Sequence, residues 1–101
     1  MIIVGGTFEV DPAERDTFLA GRHELMRRSR AEPGCLEYVF SADPIDASRV
    51  VLFERWESQE ALDAHLAALR AERPPAEGDA ATPRSASIVL YDVAQERRLG
   101  G

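Results

Sequence analysis

Two side chains in the middle of the chain, Trp56 and His65, have the greatest potential for chemistry. Trp56 is the sole Trp of the chain. It can be a core residue, or it can form one wall of a pocket for a flat aromatic ligand, with its indole N–H as a donor. His65 can be a hydrogen-bonded core histidine, or a general base at a pocket between helix and sheet. The sequence leaves both interpretations open for each residue.

Three further polar side chains accompany them. Glu54 shares a predicted strand face with Trp56. If that face is covered, the Glu54 carboxylate must be paired, for instance with an Arg, or its pKa must be raised. Tyr38 and Tyr91 lie on predicted strands, where a tyrosine is more often a packing residue than a catalytic acid. These residues alone therefore allow an aromatic-lined pocket without specifying a reaction.

The sequence predicts neither a metal site nor a cofactor site. His23 and His65 are far apart and have no third ligand at a suitable spacing for zinc or iron. His23 lies at the edge of a helical apolar stripe, which favours a structural or surface role. Cys35 is the single cysteine, and no His or Asp is placed beside it, so it is expected to fill space as a small apolar residue. The Gly5-Gly6 pair lacks the glycine spacing and the following helix of a phosphate loop.

The elements that position these residues lie in one central stretch. Glu32-Pro33-Gly34 ends the preceding helix, because Pro33 disfavours helical angles at Glu32. Cys35–Ala42 alternates with the period of a strand, with Leu36, Tyr38 and Phe40 on its apolar face. After a turn at Asp43-Pro44, Arg49–Glu57 forms a second strand with apolar residues on both faces. Ser58 caps the next helix. The apolar stripe of that helix contains Leu62, His65, Leu66 and Leu69.

The flanking segments repeat the strand and helix theme. Ile2–Val10 alternates as a strand, and Gly5-Gly6 within it predicts a bulge or a close approach of another group. Asp11-Pro12 starts a helix that is expected to continue to about Ala31. Residues 73–83 are rich in Pro, Gly and Ala and predict a loop, and Ser85–Val93 forms a closing strand. The stripe of the first helix contains Phe18, Leu19, Leu25 and Met26.

The element order is therefore β-α-β-β-α-β, which is typical of the ferredoxin-like α+β fold. In this fold two helices cover one face of a four-stranded antiparallel sheet. We expect one domain over residues 1–94 and a charged tail over residues 95–101. Because the second sheet face also carries apolar residues, the sequence predicts a homodimer.

Charge and composition limit the classes of partner that the protein is expected to bind. The net charge of −6 argues against nucleic acid and against a basic membrane-binding surface. The apolar start of the chain lacks a basic region and has the alternation of a strand. We therefore expect a cytoplasmic protein with no membrane span. All 12 basic residues are Arg, which excludes a Schiff-base lysine.

Three segments together carry a family resemblance. They read Glu32-Pro33-Gly34-Cys35-Leu36-Glu37-Tyr38, Glu54-Arg55-Trp56-Glu57-Ser58 and Glu60-Ala61-Leu62-Asp63-Ala64-His65-Leu66. In combination, over about residues 1–70, they resemble the antibiotic biosynthesis monooxygenase family. These are small dimeric α+β-barrel proteins, and they include cofactor-free quinol and anthrone monooxygenases.

The resemblance implies an activity and a set of site residues. It implies a homodimer that oxidises a quinol, an anthrone or a related polycyclic aromatic with O₂, without cofactor or metal. His65 and Trp56 would be the catalytic residues. Leu52 stands where the anthrone-oxidising branch has an Asn, and the S/T-P-H-F segment of the family is replaced by Ala67-Ala68-Leu69-Arg70. The expected substrate-binding residues are Tyr38, Phe40, Leu52, Glu54, Leu62 and His23.

Two other functions remain open on the same fold. The first is a non-redox dimeric protein that binds or cyclises an aromatic or polyketide compound, which the missing Asn and His favour. The second is haem binding or degradation with a His as axial ligand. Fold alone does not choose among these functions.

Overall fold

The computed structural model describes residues 1–71 and 82–100. Its elements follow the predicted β-α-β-β-α-β order, with the first helical segment divided in two. The strands are β1 (Ile2–Glu9), β2 (Cys35–Ala42), β3 (Arg49–Trp56) and β4 (Ser85–Asp92). The helices are α1 (Arg15–Ala20), α2 (His23–Arg30) and α3 (Gln59–Ala71), and a 3₁₀ turn at Pro12–Glu14 precedes α1.

The four strands form one antiparallel sheet in the order β2-β3-β1-β4. The register places Val4 opposite Glu54 on β3 and opposite Leu90 on β4. Tyr38 on β2 is also opposite Glu54. Residues paired in this way point to the same side of the sheet. The ferredoxin-like fold predicted from the sequence is confirmed.

The first helix is not continuous, and the prediction of one helix to about Ala31 was wrong. The break lies at Gly21 and Arg22, where the Arg22 amide bonds the Leu19 carbonyl at 3.0 Å and so spans three residues instead of four. Glycine is a poor helix former, and a three-residue hydrogen bond tightens the last turn of a helix. A new helix then starts at His23.

The predicted helix caps are present. The Asp11 side chain accepts a hydrogen bond from the Ala13 amide at 2.9 Å, and Pro12 occupies the first turn. Ser58 Oγ accepts from the Ala61 amide at 3.1 Å at the start of α3. These short-range bonds satisfy amides that would otherwise lack a partner at each helix start.

The core lies between the helices and one face of the sheet. Phe18 of α1 and Trp56 of β3 are both 0 % exposed, and Tyr38 and Phe40 lie between them on β2. Leu36 was expected on the same face as Tyr38, but its side chain is 43 % exposed. The reason is a register irregularity between Cys35 and Glu37, which takes Leu36 out of the alternation.

The paired glycines of β1 serve close packing. The strand keeps an unbroken register on both sides, so the alternative of a bulge at this point is wrong. A Cβ at Gly6 would lie 3.3 Å from Ile88 Cγ1 and 3.5 Å from Leu52 Cβ. The absence of a side chain at Gly6 therefore lets Ile88 and Leu52 pack close to the backbone of β1.

The opposite sheet face has no helix of the described chain over it. Its centre is apolar, with half-buried Ile3, Val39, Val51 and Phe53. The loop predicted over residues 73–83 falls mainly on residues 72–81, which lie outside the described part of the chain. Residues 95–100 of the predicted tail are exposed and have no regular secondary structure. No helix in the two described ranges is long and apolar enough to cross a membrane.

Candidate active site

An apolar cavity of about 360 Å³ lies between α3 and the helix-facing side of the sheet. Cavities of this size hold small organic molecules, and a few polar groups in an apolar wall usually orient such ligands. The polar groups in this wall are Tyr38, Glu54 and His65. The open side of the cavity is bordered by Ile88 and Leu90 of β4, which are 56 % and 43 % exposed.

His65 is the buried base of the cavity wall. Helical spacing places it one turn after Leu62 on the same face of α3, so both side chains point toward the sheet. The residue is 2 % exposed, and its Nδ1 lies 2.7 Å from Glu32 Oε1. Its other ring nitrogen, Nε2, is buried and has no hydrogen-bond partner in the described chain. Buried polar atoms usually have a hydrogen-bond partner, so an unpaired ring nitrogen in a residue of a cavity wall points to a functional role.

Glu54 and Trp56 form a second buried polar pair beside His65. Two residues apart on β3, they share one strand face, and Trp56 Nε1 donates to Glu54 Oε1 at 2.8 Å. Glu54 is 6 % exposed, and burial raises the pKa of its carboxyl, although the Trp56 bond and the nearby His65 oppose that shift. The sequence-based alternative of a raised pKa is the one that agrees with the structure.

Tyr38 completes the polar side of the cavity. Its ring lies 5.2 Å from that of His65, centroid to centroid, in an edge-on arrangement. Burial, and then the negative charge of Glu54, raise the pKa of the Tyr38 hydroxyl. The hydroxyl therefore keeps its proton at neutral pH and can donate a hydrogen bond.

Six of the residues expected from the sequence meet in the wall of this cavity. Trp56 lies behind the wall, with its ring 4.7 Å from that of His65 and its side chain fully buried. His23 does not reach the cavity, since it is exposed at the start of α2. The six that meet are Tyr38, Phe40, Leu52, Glu54, Leu62 and His65.

Sequence reasoning missed Glu32 and the contribution of β4. From the sequence, Glu32 is predicted only to end the first helix and to belong to the family motif, whereas its contact with His65 joins residues 33 positions apart. Long-range pairs of this kind leave no periodic signal in a single sequence. Ile88 and Leu90 alternate on one face of the predicted closing strand, but the position of β4 beside β1 decides that this face borders the cavity.

Cys35 is a less suitable site for chemistry. Burial and the charge of Glu32 raise the pKa of its thiol, so the thiol is protonated and weakly nucleophilic at neutral pH. Its Sγ lies 3.7 Å from the Glu37 carbonyl oxygen, and the side chain packs against the core. Its position agrees with the interpretation of Cys35 as a small packing residue.

The fold and cavity define a class of protein: a ferredoxin-like domain with a small-molecule pocket between its helices and its sheet. Comparison with known families is more specific. The family model of the antibiotic biosynthesis monooxygenases matches residues 1–72, and the chain therefore belongs to this family. The family resemblance noted in the sequence is confirmed.

Individual relatives agree with this assignment. The chain is 29 % identical over 98 residues to the uncharacterised protein sll1783 of Synechocystis, covering 97 % of this chain and 67 % of that protein. It is 29 % identical over 65 residues to YcnE of Bacillus subtilis, a proposed monooxygenase, covering 64 % of this chain and 68 % of YcnE.

Solved structures share the fold. A proposed antibiotic biosynthesis monooxygenase from Deinococcus radiodurans superposes with a TM-score of 0.73 at 22 % identity, with both chains covered completely. PA3566 from Pseudomonas aeruginosa superposes with a TM-score of 0.71 at 27 % identity, covering 92 % of this chain and 94 % of that chain.

Proposed function

We propose that this protein is a cofactor-independent monooxygenase that oxidises a quinol, an anthrone or a related polycyclic aromatic with O₂. The observation that carries the proposal is His65, which lies in the wall of an apolar cavity of about 360 Å³ and has a buried Nε2 without a hydrogen-bond partner in the described chain. Membership of the antibiotic biosynthesis monooxygenase family supports the general reaction class. The aromatic substrate is what the family resemblance implies, and the apolar wall of the cavity is compatible with it.

The proposed reaction starts with proton removal. Nε2 of His65 takes a proton from an acidic C–H or O–H of the substrate, and the electron pair remains on the substrate as a delocalised anion. This electron-rich anion reduces O₂. For an anthrone, the ring CH₂ and one O₂ become C=O and H₂O: one oxygen atom enters the product, and the other leaves as water with both methylene hydrogens. The substrate supplies all four electrons.

Glu54 and Tyr38 would stabilise the oxygen that becomes negative. Because burial raises the Glu54 pKa, this carboxyl favours its neutral form more than an exposed one does. Trp56 N–H occupies Oε1, so in the neutral form of Glu54 the second oxygen would be free to donate a hydrogen bond. Tyr38 is a second protonated donor. Trp56 would then act by positioning Glu54 and the His65 ring, since its own indole is enclosed.

The apolar wall would bind and dehydrate the aromatic rings. Phe40 and Leu52 line the cavity from the sheet, and Leu62 lines it from α3. Removing water strengthens the electrostatic interactions of the anion with its donors. Leu52 offers no hydrogen bond, so recognition of polar substituents in this proposal depends on Tyr38, Glu54 and His65.

We also propose that the outer sheet face binds a second copy of the chain. The half-buried Ile3, Val39, Val51 and Phe53 form an apolar surface with no helix of the described residues over it. Surfaces of this kind are usually covered in solution. Two-fold pairing would place the two sheets face to face, with the two cavities on the outside.

Oxygen uptake tests the proposed activity. Purified metal-depleted protein is mixed with a panel of hydroquinones and anthrones, and O₂ loss and product are followed with oxygen-18-labelled O₂. We expect one labelled oxygen atom in each product. We expect the rate to fall by about 10²–10⁴-fold in His65→Gln, the usual contribution of a general base. A ligand that binds and is returned unchanged under air would contradict the proposal and favour the non-redox binding or cyclase function.

A further inference from the structure

Glu32 makes the one hydrogen bond that the structure gives to the ring of His65, with 2.7 Å between Oε1 and Nδ1. The two side chains differ in exposure: 1 % for His65 and 29 % for Glu32. The Glu32 carboxylate therefore reaches water on one side and the buried imidazole on the other. The donor and acceptor roles in this contact depend on the His65 tautomer, and a carboxylate, which only accepts hydrogen bonds, favours the tautomer with the proton on Nδ1.

The chain holds Glu32 in this position through a tight turn. The Cys35 amide bonds the Glu32 carbonyl at 3.1 Å, and the Glu57 amide bonds the Gly34 carbonyl at 2.9 Å. Gly34 has a φ of +83°, and a Cβ added there would lie only 2.5 Å from Ala61 Cβ. The turn is thus docked directly on α3.

The docking point and the base share one helix face. Ala61 and His65 are four residues apart on α3, so their side chains project on the same side, one turn apart. The contact of Gly34 with Ala61 therefore fixes the distance between the turn and the imidazole. Any shift of the turn would separate Glu32 from His65.

We propose that Glu32 is the positioning residue of His65. Its carboxylate fixes the proton on Nδ1, so Nε2 carries a lone pair toward the cavity, and it stabilises the imidazolium that forms when Nε2 accepts the substrate proton. In that step the substrate C–H or O–H bond breaks and an Nε2–H bond forms, and Glu32 remains ionised. The catalytic role of Glu32 rests on the proposed function, whereas its effect on the His65 tautomer does not.

Nitrogen-15 spectroscopy of labelled histidine tests the tautomer without any substrate. At mildly alkaline pH, we expect Nδ1–H and bare Nε2 for His65 in the wild type. Glu32→Gln retains an acceptor and should keep this tautomer, whereas Glu32→Ala should move the population toward Nε2–H. Glu60→Gln removes a comparable exposed charge from the first turn of α3 and is the matched control. Circular dichroism confirms that each variant is folded.

Kinetics test the catalytic consequence. We expect Glu32→Ala to lose about 10–100-fold in kcat, similar to the loss when carboxylate partners of metal-binding histidines are removed. In Glu32→Gln, the acidic limb of the pH–rate profile should move to lower pH, because the imidazolium loses its anionic partner. Glu60→Gln should leave both quantities unchanged.

Two results would overturn the inference. The first is an Nε2–H tautomer in the wild type. The second is a folded Glu32→Ala variant with the wild-type tautomer, and with the wild-type pH profile where the protein consumes O₂. Absence of O₂ uptake in every variant would refute the proposed function alone, because the tautomer measurement still decides the role of Glu32.

Discussion

Replacement of Gly34 by Ala tests the turn that carries Glu32. The new Cβ would lie 2.5 Å from Ala61 Cβ, and the neighbouring atom is a short side chain on a helix that cannot rotate away. The backbone at Gly34 also has a φ of +83°, which residues with a Cβ adopt at a cost. Both effects act on the same turn, so Gly34→Ala should lower stability and also displace Glu32 from His65.

The two contributions can be estimated separately. A left-handed backbone conformation costs a non-glycine residue roughly 1–2 kcal/mol. An extra carbon forced into a packed contact costs roughly 1–3 kcal/mol. The expected loss in the free energy of unfolding is their sum, about 2–5 kcal/mol, which is a large fraction of the roughly 5–15 kcal/mol of a typical domain.

Urea denaturation with a double-mutant cycle separates the two effects. For an m-value of about 1.5 kcal/mol/M, Gly34→Ala should lower the urea midpoint by at least about 1 M. Ala61→Gly removes the clashing methyl group and alone should cost about 1 kcal/mol of helix stability. In the double variant the steric part disappears, so a favourable coupling of about 1–3 kcal/mol is expected. A loss below about 1 kcal/mol for Gly34→Ala, or no coupling with Ala61→Gly, would refute the reasoning.

Three further changes test the cavity and the outer sheet face. Because the folded-state pKa of Glu54 is raised above its ordinary value of 4.5, its contribution to stability is largest at low pH and is lost as pH rises through the raised pKa. Glu54→Gln keeps the acceptor for Trp56 but has no carboxyl to titrate. The free energy of unfolding of the variant, measured in urea, should therefore rise relative to that of the wild type from acid to neutral pH. The same pH dependence in both proteins would contradict this. Gly6→Val would add methyl groups beside Ile88 and Leu52 of the cavity wall. We expect about tenfold weaker binding of polycyclic ligands and little change for single-ring ligands. An equal loss for both would argue that this position does not limit the size of the ligand. Light scattering should give twice the chain mass for the wild type and the chain mass for Phe53→Glu, whereas a monomeric wild type would rule out the proposed dimer.

Local patterns were sufficient for most of the fold. The alternation of buried Tyr38 and Phe40 with more exposed neighbours, and the cap at Ser58, depend on residues close in the chain, and both are present. The helix break at Gly21 and Arg22 was not predictable from the sequence, because a single glycine is tolerated within many helices. Leu36 left its predicted face because of the register between β2 and β3, which is set by the pairing of the two strands.

The site was predictable only in part, for the same reason. His65 and Glu54 were recognisable because each ionisable side chain lies on an apolar face. The Glu32–His65 contact depends on how the turn at Gly34 packs on α3, and Glu32 lies 33 positions before His65 in the sequence. His23 is exposed, whereas Leu25 and Met26 of the same predicted stripe pack against the core, which agrees with its position at the edge of that stripe.

The central claim is that His65 is a base in the wall of an apolar cavity that binds an aromatic substrate, and anaerobic mixing tests it most directly. Without O₂ the reaction stops after proton removal, so an anthrone bound to the wild type should give the visible absorption of its anion. His65→Gln should bind the same compound, as judged by quenching of Trp56 fluorescence, but give no anion band. An anion band of equal size in both proteins, or binding without any anion in the wild type, would contradict the account.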